Sequence, residues 1–200
     1  MKTKIKSFAL LIALMVGSQL SSTAQTAKSW NVDKSHASVQ FSIDHFFSAV
    51  TGKFQDFNGE ITFDPSDLKN SKASFVIQVA SIDTDDDERD GHLQSDDFFA
   101  ATTHTTITFN SKSFKKVSDT EVSVTGDLTM RGVTKEITFQ LMITGRMDNP
   151  WKKGSEILGV KLNTTINRTE FGVGTGSWAA TAVVGDEVDV SVNMELDAVK

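Results

Sequence analysis

"EVSVTGDLTMRGVTKEITFQLMI", residues 121–143, decides how this chain folds. Val122, Val124, Gly126 and Leu128 alternate with Ser123, Thr125 and Asp127. After Arg131-Gly132 the alternation resumes at Val133, Ile137, Phe139, Leu141 and Ile143. A period of two sends successive side chains to opposite faces, so each half reads as a strand with one apolar and one polar side. Gly132 supplies a turn between them, and the stretch reads as a β-hairpin.

The same pattern extends in both directions. It appears at Val39, Phe41 and Ile43, at Phe57, Gly59, Ile61 and Phe63, and at Phe75, Ile77 and Val79. It returns at Ile107 and Phe109, at Leu158, Val160, Leu162 and Ile166, and from Val188 to Leu196. These runs make about eight half-buried strands, separated by turn signals such as Asp64-Pro65-Ser66 and Ser118-Asp119-Thr120. No long helical pattern lies between them, which argues against parallel βαβ units. Several strands are long, which favours a closed barrel over a sandwich because closure removes exposed edges. The expected fold is all-β: an antiparallel β-barrel of about eight strands with a short helical insertion. Two stretches, 45–51 and 86–101, break the alternation and are each expected to carry a turn or two of helix.

Residues 1–24 read as a signal peptide. Lys2, Lys4 and Lys6 precede a short apolar core from Phe8 to Val16, and Ser22-Thr23-Ala24 is a small-x-small cleavage site. About nine apolar residues fall well short of the ~20 that span a bilayer. The expectation is one exported domain, residues 25–200, periplasmic in a diderm bacterium, with cleavage near Ala24. There is no cysteine, so disulfides, thiol chemistry and a lipidated N-terminal cysteine are excluded. Loss of the three leader lysines takes the net charge from −6 to −9. Such a surface repels nucleic acid and anionic headgroups.

Motifs for catalysis or metal binding are weak. "DDDERDGHLQSDD", residues 85–97, approaches the spacing of an EF-hand loop. Strand patterns flank it, however, and Arg89 falls inside the would-be cage, so it reads as a solvated acidic connector. His36, His45, His92 and His104 have no spacing that sets two imidazoles on one face, and no metal or cofactor site is expected. No G-x-S-x-G elbow occurs. "GVGTGSW", residues 172–178, opens no helical pattern and is a poor dinucleotide loop. The aromatic set is more informative: fourteen Phe, three Trp and no Tyr. Rings without hydroxyls suit an apolar barrel interior, which is filled by side chains or holds one slender ligand.

Five blocks in order carry a family resemblance: "WNVDKSHASVQFSIDHFFSAVTGKFQDFNGEITFD", "SIDTDDDERDGHLQSDDFF", "ITFNSKSF", "VTGDLTMRGVTKEI" and "INRTEFGV" with "VGDEVDVSV". From about Trp30 onward the chain resembles the YceI-like family of lipid- and polyisoprenoid-binding proteins. The resemblance implies a lipocalin-like barrel, a helical insertion around Arg89 to Phe99, an apolar pocket for an isoprenoid or fatty chain, and no catalytic residue set. Within that picture Arg89 and Asp90 pair locally, and Leu93, Phe98 and Phe99 pack the insertion onto the barrel.

Alternation and aromatic density nominate the cavity lining: Phe41, Ile43, Phe46, Phe47, Phe54, Phe57, Ile77, Phe98, Phe99, Leu128, Leu141 and Val160. His36, His45 and Arg168 are the polar candidates for a headgroup. The function expected is a carrier of an isoprenoid or acyl lipid, with a transient membrane or membrane-redox partner and a possible homodimer. Two other classes stay open: an interaction module with a fully packed barrel and an acidic working surface, and a hydrolase using His36, His45 and an acid at the barrel mouth.

Overall fold

The computed structural model describes residues 27–179 and 182–198, so the leader expectation for residues 1–24 lies outside the described residues. The hairpin at 121–143 forms as its pattern requires. Strand Glu121–Met130 (β7) pairs with Val133–Asp148 (β8) in unbroken register from Glu121↔Met142 to Met130↔Val133. Arg131 and Gly132 both have positive φ, 48° and 74°, the backbone a two-residue hairpin turn demands.

The remaining strands are Lys28–His45 (β1), Ser48–Phe54 (β2), Phe57–Phe63 (β3), Lys72–Gln78 (β4), Ile82–Asp83 (β5), Thr106–Lys116 (β6), Glu156–Asn167 (β9) and Val184–Ala198 (β10). All pairings are antiparallel, and from β6 to β10 each strand neighbours the next in sequence, while β4 pairs with β3 and β6. β1 closes the ring through β10, from Trp30↔Ala198 to His45↔Val184. On its other edge β1 carries β3 at Lys28–Trp30 and β2 at Val39–His45. β2 and β3 therefore share one place in the ring. β4 and β5 share the next, since β4 pairs with β3 and β5 with β2. The result is a closed up-and-down barrel of eight places, as the alternation predicts, with one α-helix among the described residues, Asp87–Gln94 (α1).

One expected helical turn is instead part of the wall. Residues 45–51 are the β1–β2 hairpin, with the two-residue turn Phe46–Phe47 between the paired residues His45 and Ser48. The turn has neither glycine nor asparagine, so its chemistry hides it. The stretch at 86–101 does hold a helix. Asp86 caps α1 by accepting from the Arg89 backbone N–H at 3.0 Å, and Asp87, Glu88 and Asp90 complement the dipole in the first turn. Arg89 and Asp90 do not pair with each other; both grip Thr84. Asp90 accepts from the Thr84 N–H at 2.9 Å, and Arg89 Nη2 donates to the Thr84 carbonyl at 2.7 Å.

The two barrel ends differ. At the end holding the start of β1, Trp30, Val122 and Leu158 are buried, and Trp30 Nε1 donates to the Phe63 carbonyl at 2.8 Å. Beside this plug Lys28 and Arg146 both bond Glu156, which holds that carboxyl below its usual range. The opposite end is covered by loops: the α1 segment and residues 168–179. His92 sets its ring edgewise on Phe98 and Trp178, which meet each other at a tilt, so the three rings pack across these two segments with centroids 4.8–5.6 Å apart. Arg131 ties the β7–β8 turn to both, donating to the Gly172 and Asp96 carbonyls.

Arg168 organises the second loop. It is 3% exposed, and its five N–H groups go to five carbonyls: Nε to Gly185, Nη1 to Val173 and Gly174, Nη2 to Trp178 and Val184, at 2.7–3.2 Å. Burial pushes its pKa down, opposed by Asp186 at 3.8 Å. The glycines of "GVGTG" are explained here. Gly172, Gly174 and Gly176 all take positive φ, and a β-carbon on Gly174 would run into the guanidinium. Arg168→Met is expected to destabilise the fold by about 3 kcal/mol or more, since it strands buried carbonyls. Arg168→Lys cannot reproduce a planar five-donor fork and is expected to recover less than half of that loss. Urea denaturation of both variants measures it; a loss below 1 kcal/mol for the methionine variant contradicts the assignment.

Candidate functional site

A cavity of about 300 Å³ runs inside the barrel, from Phe63, Phe114 and Leu196 near the plugged end to Leu93, Phe98 and Val173 beneath the loops. That volume lies at the lower end of the ~300–1,000 Å³ typical of ligand cavities. Nine of the fourteen phenylalanines line it. Among the described residues, Gln40, Thr164 and Arg168 are the only polar ones in the lining. Since every Arg168 N–H already has a carbonyl, the lining leaves no charged donor free for a headgroup.

The cavity exists because large rings lie flat against the wall instead of meeting at the axis. Phe41 sits directly across from Gly52, and Phe75 across from Gly59. A β-carbon at Gly59 would stand 2.7 Å from the Phe75 ring, and one at Gly126 2.6 Å from Phe109; at Gly52 it would run into Phe41. Each glycine leaves a recess that a ring fills. An interior rich in phenylalanine thus retains open volume.

Ten of the nominated residues line this cavity: Phe41, Ile43, Phe54, Ile77, Phe98, Phe99, Leu128, Leu141, Val160 and Arg168. Five do not. Phe46 and Phe47 form the β1–β2 turn and are 60% and 104% exposed, so aromatic density there marks a protrusion and not a wall. Phe57 is buried but stacks behind Phe75, at 5.8 Å, outside the lining. His45 packs its ring edgewise on Phe46 at 4.7 Å. His36 lies in the bulge where β1 departs from β10 between Val32 and Ala37. There its Nδ1 is 2.8 Å from Asp33 Oδ2, a bond that raises the His36 pKa and lowers that of Asp33. Asp33, His36 and Glu195 bring candidate ligand atoms within 4.8 Å of one another, but on the outer surface, away from the cavity.

The list of nominees also missed residues whose signal was available. Phe63, Phe75, Phe109, Phe139 and Val192 all line the cavity and fall on the apolar face of their strands. Parity alone would have found them. Met130 continues the same parity along β7. Phe114 was harder, because β6 shifts register between Ser111 and Ser113 and breaks its own alternation. What the chamber can do chemically is narrow: it can remove an elongated apolar molecule from water.

Comparison with known proteins agrees with this architecture. Protein YceI of Shigella flexneri is 36% identical over 178 residues, covering 88% of this chain and 90% of the relative. The crystal structure of Burkholderia cenocepacia BcnA superposes with a TM-score of 0.72 at 27% identity, covering 84% of this chain and 99% of that one. A polyisoprenoid binding domain from Saccharophagus degradans, implicated in plant cell wall breakdown, shares the fold with a TM-score of 0.66 at 18% identity over 88% of this chain and all of its own. The family model of the YceI-like domain matches residues 30–196, and the chain belongs to that family.

Proposed function

We propose that this protein is an exported carrier that encloses one long isoprenoid, either a polyprenyl chain or an isoprenoid quinone, or a fatty acyl chain, and performs no reaction on it. The observation that carries the proposal is the cavity lining: thirty-one apolar residues against Gln40, Thr164 and an already saturated Arg168. Each CH₂-sized unit buried there contributes about 0.8 kcal/mol before the costs of binding, so a chain of ten or more is retained. Because the lining offers no free charge, the polar group of the lipid belongs at the loop-covered end, facing water. Entry belongs there too, since loops can part without breaking the ladder that closes the barrel.

Membership of the YceI-like family supports this reading, as does the shared fold with a polyisoprenoid binding domain. The lysine-flanked apolar leader supports export to the periplasm. The other two classes gain little. His36 and His45 stand apart, one in an outer bulge and one against Phe46, and the barrel is not fully packed.

The mature protein recovered from its host periplasm is expected to show a stoichiometric adduct in native mass spectrometry, releasing a prenyl or acyl species on solvent extraction. A clean apo mass, with no uptake from host lipid extract, would sink the proposal. Filling the chamber gives a second check. Ile77→Trp is expected to lower affinity for that lipid about tenfold or more. Thr138→Val, on the outer face opposite Thr125, is expected to change nothing.

A further inference from the structure

The β1–β2 turn is costly in two independent ways. Phe46 holds φ at +50°, a left-handed conformation that side chains other than asparagine or glycine seldom adopt. Phe47 is fully exposed to water beside it, at 104%. A glycine or asparagine would relieve both costs. The surroundings are as unusual: residues 45–50, "HFFSAV", have no Asp, Glu, Lys or Arg in a chain that is 23% charged. The turn also belongs to the loop-covered end. Ile43 and Val184, at the base of the turn, line the cavity, and Phe46 N–H donates to the Val183 carbonyl at 3.1 Å, linking the tip to the chain that follows the covering loop.

We propose that the Phe46–Phe47 turn inserts into a zwitterionic phospholipid bilayer and docks the loop-covered end of the barrel on it. The inference rests on the carrier reading, which requires a lipid source at that end. Two rings bury about 300–500 Å² together, far below the ~1,200 Å² of a stable protein interface, so a second copy or a folded partner is poorly served by so small a protrusion. A bilayer needs no complementary pocket. The net charge of −9 without the leader selects zwitterionic over anionic headgroups.

The absence of cysteine allows a clean test. Ser48→Cys labelled with an environment-sensitive nitrobenzoxadiazole dye reports on the tip, and Asp119→Cys, equally labelled, reports on the opposite end, where Trp151 is 87% exposed. With phosphatidylcholine vesicles the Ser48 probe is expected to brighten and shift to the blue while the Asp119 probe stays unchanged. Adding Phe46→Ser and Phe47→Ser is expected to reduce vesicle partitioning about tenfold or more, with the melting temperature preserved. An unresponsive Ser48 probe overturns the proposal. So does a larger response at Asp119, or a Ser48 shift that grows with protein concentration in the absence of vesicles, which signals self-association. Retention of farnesol, measured in parallel, separates the two ideas: retention without docking removes only the turn assignment, whereas no retention removes the carrier reading itself.

Discussion

Pairing between β1 and β10 is the constraint on which the molecule depends. It joins the first and last strands of the domain, and without it the sheet has two long open edges and no interior. The seam is not uniform. It skips four residues between Val32 and Ala37 and shifts again between Ile43 and His45. Such bulges strengthen local twist, which a sheet must have in order to close. β1 also spans two partners on its other edge, so its 18 residues hold the barrel closed along most of its length. The chamber, its plug and its covering loops are all consequences of that closure.

Much of this architecture was legible in period-two alternation. The eight patterned runs correspond to the eight places of the barrel, because a half-buried strand can satisfy its apolar face in no other way. Elements that follow a different rule were not legible. The Phe46–Phe47 turn carries no turn residue, so only the pairing of His45 with Ser48 reveals it. Arg168 was nominated as a polar partner for a headgroup, yet its partners are main-chain carbonyls of residues 173–185, which no side-chain pattern encodes. Phe57 and Phe63 share one alternating run, but only Phe63 reaches the cavity, since Phe75 lies over Phe57.

The interior achieves openness and density together. A barrel of this size is easily filled by its own side chains. Here the bulkiest residues are laid flat in recesses left by glycines, so the wall is thick and the axis clear. The lining offers almost nothing to hydrogen-bond, and tyrosine, the residue that most often gives an aromatic wall a polar handle, is absent from the whole chain. Selection among ligands then follows length and cross-section, and a hydrocarbon of similar girth but different chemistry competes on nearly equal terms.

The five-carbonyl grip of Arg168 also sets a timescale. Lifting residues 173–178 away from it strands several carbonyls and a cation together, so a half-opened loop is penalised almost as heavily as one fully open. Opening is then an all-or-none event, rare and brief. On the proposed entry route, residence time in the barrel follows the frequency of that event more than the depth of the apolar well, and exchange far faster than spontaneous opening requires something that loosens the loop from outside.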